Sequence, residues 1–193
     1  MMEPRRQALC TAFAGERCLA TGHLADVVRS AKSAQDRGEP VLIFDDESGE
    51  PIEVDFRGTE ESVLERLPVG EPRAEDTPKG PGRPKLGVVG REVTLLPRHW
   101  DWLNSQPGGA SVALRKLVEE ARRANAGKDR RRRAQEAAYR FMSAMAGNLT
   151  GFEETCRAFF AGDSGRFQEL TEAWPPDIRD HARRMAEDTF ETA

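Results

Sequence analysis

The chain has 193 residues and a net charge of −4 at pH 7, long enough for one large domain or two to three small ones. With 38% hydrophobic and 32% charged residues it is polar for a globular chain, which implies solvated linkers but excludes wholesale disorder. Every apolar run is shorter than a membrane span and no charged-then-apolar leader opens the chain, so a cytoplasmic protein without membrane contact is expected.

The first 67 residues read as β-β-α-β-β. Ala8–Phe13 and Arg17–Thr21 flank Ala14-Gly15-Glu16, a hairpin signal. Leu24, Val27, Val28 and Ala31 recur at helical spacing until Gly38 and Pro40 end the helix. Val41-Leu42-Ile43-Phe44 reads as a buried strand. Ile52, Val54 and Phe56 alternate beyond an acidic turn as its partner strand. Thr59 is the expected N-cap of a short helix carrying Ser62, Val63 and Leu67.

Residues 68–85 form a linker, with six prolines or glycines between Gly70 and Gly82 and charges among them. Such a composition cannot bury enough apolar surface to order itself.

Residues 86–124 predict a strand, a helix and a second helix. Val93 and Leu95 alternate with Glu92, Thr94 and Leu96, and Pro97 suits the first turn of a helix. Trp100 and Leu103 lie one helical step apart, and Pro107-Gly108-Gly109 ends that helix. Ser111 is the expected N-cap of the second, whose apolar positions are Val112, Leu114, Leu117, Val118 and Ala121. One strand and two helices cannot close a core alone, because the strand keeps an unpaired edge. A homodimer sharing a core of Val93, Leu95, Trp100, Leu103, Leu114 and Leu117 is therefore expected.

The remainder, 125–193, predicts a bundle of short helices. Ala137, Ala138, Phe141, Met142 and Met145 form one stripe, ended by Gly147-Asn148. Thr150 with Glu153 reads as a capping box for a helix burying Phe152, Cys156, Phe159 and Phe160. Phe167, Leu170 and Trp174 form a third stripe. Pro175-Pro176-Asp177 opens a fourth helix, with Ile178, Ala182 and Met185 inward. The expected fold class is thus α+β: an acidic N-terminal domain (1–67), a linker (68–85), a central strand-helix-helix module (86–124) and a helical C-terminal region (125–193).

Charge is unevenly spread along the chain. Residues 1–78 carry 9 basic and 17 acidic side chains, residues 79–133 carry 14 and 5, and residues 134–193 carry 6 and 11. A basic middle between acidic ends points to a polyanion partner, with a solvated linker or docking onto the acidic ends as the other reading. Arg130-Arg131-Arg132-Arg133, just after Lys128, suit phosphate neutralisation.

The run Val93-Thr94-Leu95-Leu96-Pro97…Gly108-Gly109-Ala110-Ser111-Val112-Ala113-Leu114-Arg115-Lys116-Leu117-Val118 resembles the ribbon-helix-helix family of bacterial DNA-binding proteins over about a fifth of the chain. The resemblance implies a paired ribbon in the major groove, with Arg91, Glu92 and Thr94 facing bases and Ser111 at the helix start contacting phosphate. Glu92 and the apolar Leu96 depart from that pattern, so weak sequence reading is expected. Lys79-Gly80-Pro81-Gly82-Arg83-Pro84-Lys85 is similar to an AT-hook, with Pro81 where an arginine is usual. That likeness implies Arg83, beside Lys85, in a narrow minor groove; the other reading is an ordinary Pro/Gly linker. The chain from Gly82–Arg123 to Phe152-Glu153-Glu154 and Trp174-Pro175-Pro176-Asp177-Ile178-Arg179-Asp180-His181 also resembles a bacterial family catalogued only as a domain of unknown function. That resemblance implies a bacterial origin and no established activity.

Enzyme chemistry has little support. Cys10, Cys18 and Cys156 match no metal or redox spacing, and a Cys10–Cys18 disulfide, though conceivable across a hairpin, runs against a reducing cytosol. His23, His99 and His181 lie far apart, and His99 and His181 read as surface or half-buried histidines. Asp45, Asp46, Glu47, Glu50, Glu53 and Asp55 crowd one turn and could hold a divalent cation, but do not match the calcium-loop pattern. No nucleophile triad or phosphate-binding loop occurs. No cofactor and no metal are expected. The leading expectation is a dimeric DNA-binding transcriptional regulator, the alternative a dimeric protein-interaction scaffold.

Overall fold

A computed structural model describes residues 9–67 and 89–190. In chain order its elements are β1 (Leu9–Ala14), β2 (Arg17–His23), α1 (Leu24–Asp36), β3 (Val41–Asp45), α2 (Glu60–Arg66), α3 (Pro97–Ser105), α4 (Gly109–Ala124), α5 (Ala126–Ala146), α6 (Phe152–Ala161), α7 (Ser164–Thr171) and α8 (Pro176–Phe190). The class is α+β and mostly helical. The chain divides into two units, one joining the N-terminal segment with the helices from residue 130 onward, the other holding α3 and α4.

In the first unit, three antiparallel strands lie in the order β2-β1-β3. The hairpin β1–β2 pairs Leu9 with His23 and Ala14 with Arg17, slipping one residue between Ala12 and Phe13. The central strand β1 is buried on both faces, which explains its near-continuous apolar run. Cys10 and Ala12 face a cluster with Val27, Val28, Ala31, Ile43 and Val63. Phe13 and Phe44 face the opposite way, into a core shared with Phe141, Met142, Phe159, Trp174 and Ile178. Period-two alternation thus sends neighbouring residues of β1 and β3 into two different cores. The segments read from sequence as an N-terminal domain and a C-terminal helical region share one core, and no separate N-terminal core exists on the Phe13 face.

Two polar contacts reinforce this joining. The Cys18 amide donates to the Asp177 carboxylate at 2.7 Å, and Arg140 donates to the Ser48 carbonyl at 2.8 Å. The turn after β3 also presses on α5. Gly49 has φ +68°, and a Cβ there would stand 2.1 Å from the Ala137 carbonyl oxygen, so only glycine fits.

The expected fourth strand does not form. Residues 52–57 are extended but irregular, joined to β3 by one bridge, Phe44 to Pro51, and by the Ile52 amide on the Ile43 carbonyl at 2.7 Å. The alternation of Ile52, Val54 and Phe56 serves to cover the α1-side cluster, and Pro51 has no N–H to continue a ladder. Thr59 caps α2 as expected, its side chain accepting from the Ser62 amide. Thr150 does not cap α6. Gly151, at φ +83°, takes that place, and the Thr155 hydroxyl donates to the Gly151 carbonyl at 3.0 Å. Phe160, expected inward, is exposed.

Cys10, Cys18 and Cys156 are free thiols. Burial, with Asp46 and Asp45 nearby, pushes the Cys10 thiol up to about 12, which makes it a poor nucleophile. Among the described residues no helix is long and apolar enough to cross a membrane.

Candidate nucleic-acid interface

The α3–α4 unit is built from local signals. Pro97 occupies the first turn of α3, where its missing N–H costs nothing. Gly108 turns the chain at φ +86°, and a Cβ there would crowd Val112 at 3.1 Å. The expected cap at Ser111 is displaced. Gly108 is the N-cap of α4, and Ser111 lies exposed in the first turn, its carbonyl accepting from Arg115 at 3.1 Å. The glycine pair starts the helix three residues early, because Gly108 and Gly109 both take the left-handed conformation the turn requires.

The expected strand Val93–Leu96 has no regular secondary structure, and among the described residues it has no partner strand. Arg91 and Thr94 are exposed on it, as is Val93. Of the six residues expected to form a dimer core, Leu103 alone is buried. Leu95, Trp100 and Leu114 are partly covered, while Val93 and Leu117 are exposed. Val118, at 63% exposure, and Trp102 add to an uncovered apolar surface. In the described part of this unit the buried apolar side chains are Leu103 and Ala113, a small core for two helices.

Arg83, Lys85 and the linker 68–85 lie outside the described residues. Arg130, Arg131, Arg132 and Arg133 are exposed within α5, where successive residues are turned by about 100°, so the run does not form a single patch. Arg130 and Arg133 line a cleft of about 480 Å³ together with Arg184 and the acidic Asp46, Glu47, Glu187 and Asp188. Arg131 reaches the end of α6, its terminal nitrogen 3.3 Å from where a Cβ on Gly162 would be. Part of the basic run therefore faces acidic groups of its own unit.

A buried polar cluster lies under the cleft. His181 on α8 is 2% exposed. Its Nδ1 accepts from the Arg184 guanidinium, which assigns the ring proton to Nε2. That nitrogen faces Asp46 Oδ1 at 3.7 Å, and neither atom has a hydrogen-bond partner among the described residues. Burial, then the Arg184 charge, hold the imidazole down to about 3, so it is neutral at pH 7. Burial pushes the Asp46 carboxyl up, opposed by the Thr11 hydroxyl donating to Oδ2 at 3.1 Å. A histidine so enclosed cannot reach a substrate; it links α8 to the sheet. Sequence reading missed the pair because 135 positions separate Asp46 from His181 and no spacing rule joins them. The acidic turn is occupied by backbone contacts, Asp45 Oδ1 accepting from the Ser48 amide at 2.8 Å and the Glu47 amide at 3.1 Å. Among the described residues no group of three or more potential ligands could hold a metal ion.

These features define an α+β protein whose central strand is buried between helices on both faces of the sheet, with a second, two-helix unit that exposes cations and apolar side chains together. The chain belongs to a family described as uncharacterized proteins conserved in bacteria (DUF2239), whose model matches residues 9–186. That description names no ribbon-helix-helix or AT-hook element. No curated protein and no solved structure matches the chain.

Proposed function

We propose that this chain is a homodimeric nucleic-acid-binding protein, serving as a bacterial transcriptional regulator, that engages DNA through the basic segment 79–133. The observation that carries the reading is the charge of that segment, 14 basic against 5 acidic side chains, in a chain that is acidic elsewhere. Cationic charge concentrated in this way binds polyanions through counterion release. Dimerisation is supported by the uncovered Val93, Leu117 and Val118 beside a core too small for two helices. A second chain would pair the free edge at Val93–Leu96 and cover that surface. Arg83 and Lys85 would serve as a minor-groove arm, Arg91 and Thr94 as ribbon contacts, and Ser111 as a phosphate contact at the first turn of α4.

The test is duplex binding by the purified chain at several salt concentrations. Affinity should fall steeply with salt, by a log–log slope of about −0.9 per phosphate neutralised. Replacing Arg130–Arg133 with alanine should flatten the slope, less than four full charges would predict, because Arg130 and Arg133 share a cleft with carboxylates. Absent or salt-independent binding refutes the reading. A second reading, a dimeric scaffold, is favoured by that same cleft, where arginines of the basic run face the chain's own acids. It predicts a sedimenting dimer, disrupted by Leu95→Asp, that binds no duplex.

A further inference from the structure

We propose that the cleft lined by α5, α8 and the turn after β3 binds a free α-amino acid with an aliphatic side chain, gripped at both its ammonium and its carboxylate. The site rests on no part of the nucleic-acid reading, so the two stand or fall separately.

The cleft measures about 480 Å³, within the roughly 300–1,000 Å³ of small-molecule sites. All of its lining belongs to the first unit. Asp46 and Arg133 line it with a partner already in place, for Asp46 the Thr11 hydroxyl. Four other charged side chains on it have none. Arg130, Glu47, Glu187 and Asp188 make no side-chain hydrogen bond or ion pair among the described residues.

The buried histidine keeps the charges on α8 apart. Arg184 stands three and four residues before Glu187 and Asp188, a spacing at which opposite charges on a helix pair. Arg166 pairs in this way with Glu169, at 2.9 Å. Arg184 does not, because the His181 Nδ1, one turn back, accepts from its guanidinium. His181 is fixed in the interior at 2% exposure, so this contact holds the arginine away from both carboxylates. The guanidinium has further N–H donors beyond the one spent on Nδ1, and Arg184 lines the cleft. Unpaired charge of both signs therefore surrounds one space.

That pattern selects the ligand. A lone anion would meet Glu47, Glu187 and Asp188, and a lone cation would meet Arg130 and Arg184; a dipolar ion suits both sets. An α-amino acid carries its carboxylate and ammonium on one carbon. It can accept charge-assisted hydrogen bonds from a guanidinium and donate others to a carboxylate at the same time. The rest of the lining is Ala134, Ala137 and Met185, against which an aliphatic side chain gains and a charged one loses.

The probe is L-leucine, titrated into the full chain by calorimetry with the Met185 methyl signal as a second readout. Binding should saturate. The same skeleton without the carboxylate, 3-methylbutylamine, or without the ammonium, 4-methylpentanoate, should bind at least about tenfold more weakly. Arg130→Gln and Asp188→Asn, both at exposed positions, should each weaken L-leucine binding about tenfold and leave Tm unchanged. Glu153→Gln, outside the cleft, should bind as wild type does. The proposal is overturned if neither heat nor the methyl signal responds at about 10 mM L-leucine, ten times a Kd of 1 mM. It is equally overturned if the amine or the acid binds as tightly as the amino acid, or if both cleft variants bind like wild type.

Discussion

Phe141→Ala should unfold the sheet together with the C-terminal helices. Phe141 is fully buried on α5, and its ring lies 5.5 Å from Phe13 on β1, 5.2 Å from Phe44 on β3 and 4.4 Å from His181 on α8. Removing it deletes the ring's transfer energy and leaves a cavity between two layers that cannot collapse without moving the sheet. The expected cost is about 3–5 kcal/mol, a large share of the roughly 5–15 kcal/mol that holds an ordinary domain. The corresponding fall in Tm is roughly 10–20 °C. Urea denaturation gives the magnitude, and native-state hydrogen exchange tests the cooperativity. Protection should fall by the same free energy at amides of β1 and of α6, because Phe13 and Phe159 belong to one core. If α6 amides lose protection while β1 amides keep theirs, the two segments are independent domains and the shared-core argument is wrong.

Two further substitutions isolate other links. Gly49→Ala meets the Ala137 carbonyl at 2.1 Å, whereas Gly38→Ala, at a similar φ of +78°, meets nothing. The second should cost only the left-handed penalty of about 1–2 kcal/mol and the first clearly more; equal falls in Tm would show that the turn does not bear on α5. The His181 pair makes stability depend on pH. Its folded value of about 3 lies below the ordinary 6.5, so below pH 6.5 the unfolded chain takes up a proton that the folded chain refuses. Stability from this group is therefore lost as pH falls, by about 1.4 kcal/mol per unit. Asp46, raised by burial, works the opposite way over its own range. The urea-derived advantage of wild type over His181→Gln should thus shrink by about 2 kcal/mol between pH 6.5 and 5, and a pH-independent difference would refute the buried-neutral assignment.

Local chemistry was legible from the sequence because its causes lie within a few residues. The β1–β2 hairpin around Gly15, the helix from Leu24, Thr59 as a cap, Pro97 at a helix start and the stripe Ala138–Phe141–Met142 all follow from backbone preference and periodicity. Position along the chain also revealed the basic segment, since charge is a property of composition. Where alternatives within a few residues competed, the sequence misled. Thr150 and Ser111 had the side chains of caps, but Gly151 and Gly108 had the backbone freedom the turns required. Ile52, Val54 and Phe56 alternated like a strand, and alternation alone cannot say whether a neighbour's N–H groups are within reach.

Tertiary structure decided what depends on contacts between distant parts of the chain. It joined Phe13 and Phe44 to Phe141, and so merged two sequence regions into one unit. It enclosed His181 over Asp46, a pairing invisible to any spacing rule. It set Arg130 and Arg133 beside carboxylates, brought Arg131 to the end of α6, and turned Phe160 outward when its helical stripe pointed inward. The physical reason is the same in each case. Burial and electrostatic environment are properties of the packed interior, and a residue acquires them from neighbours that the linear chain keeps far away.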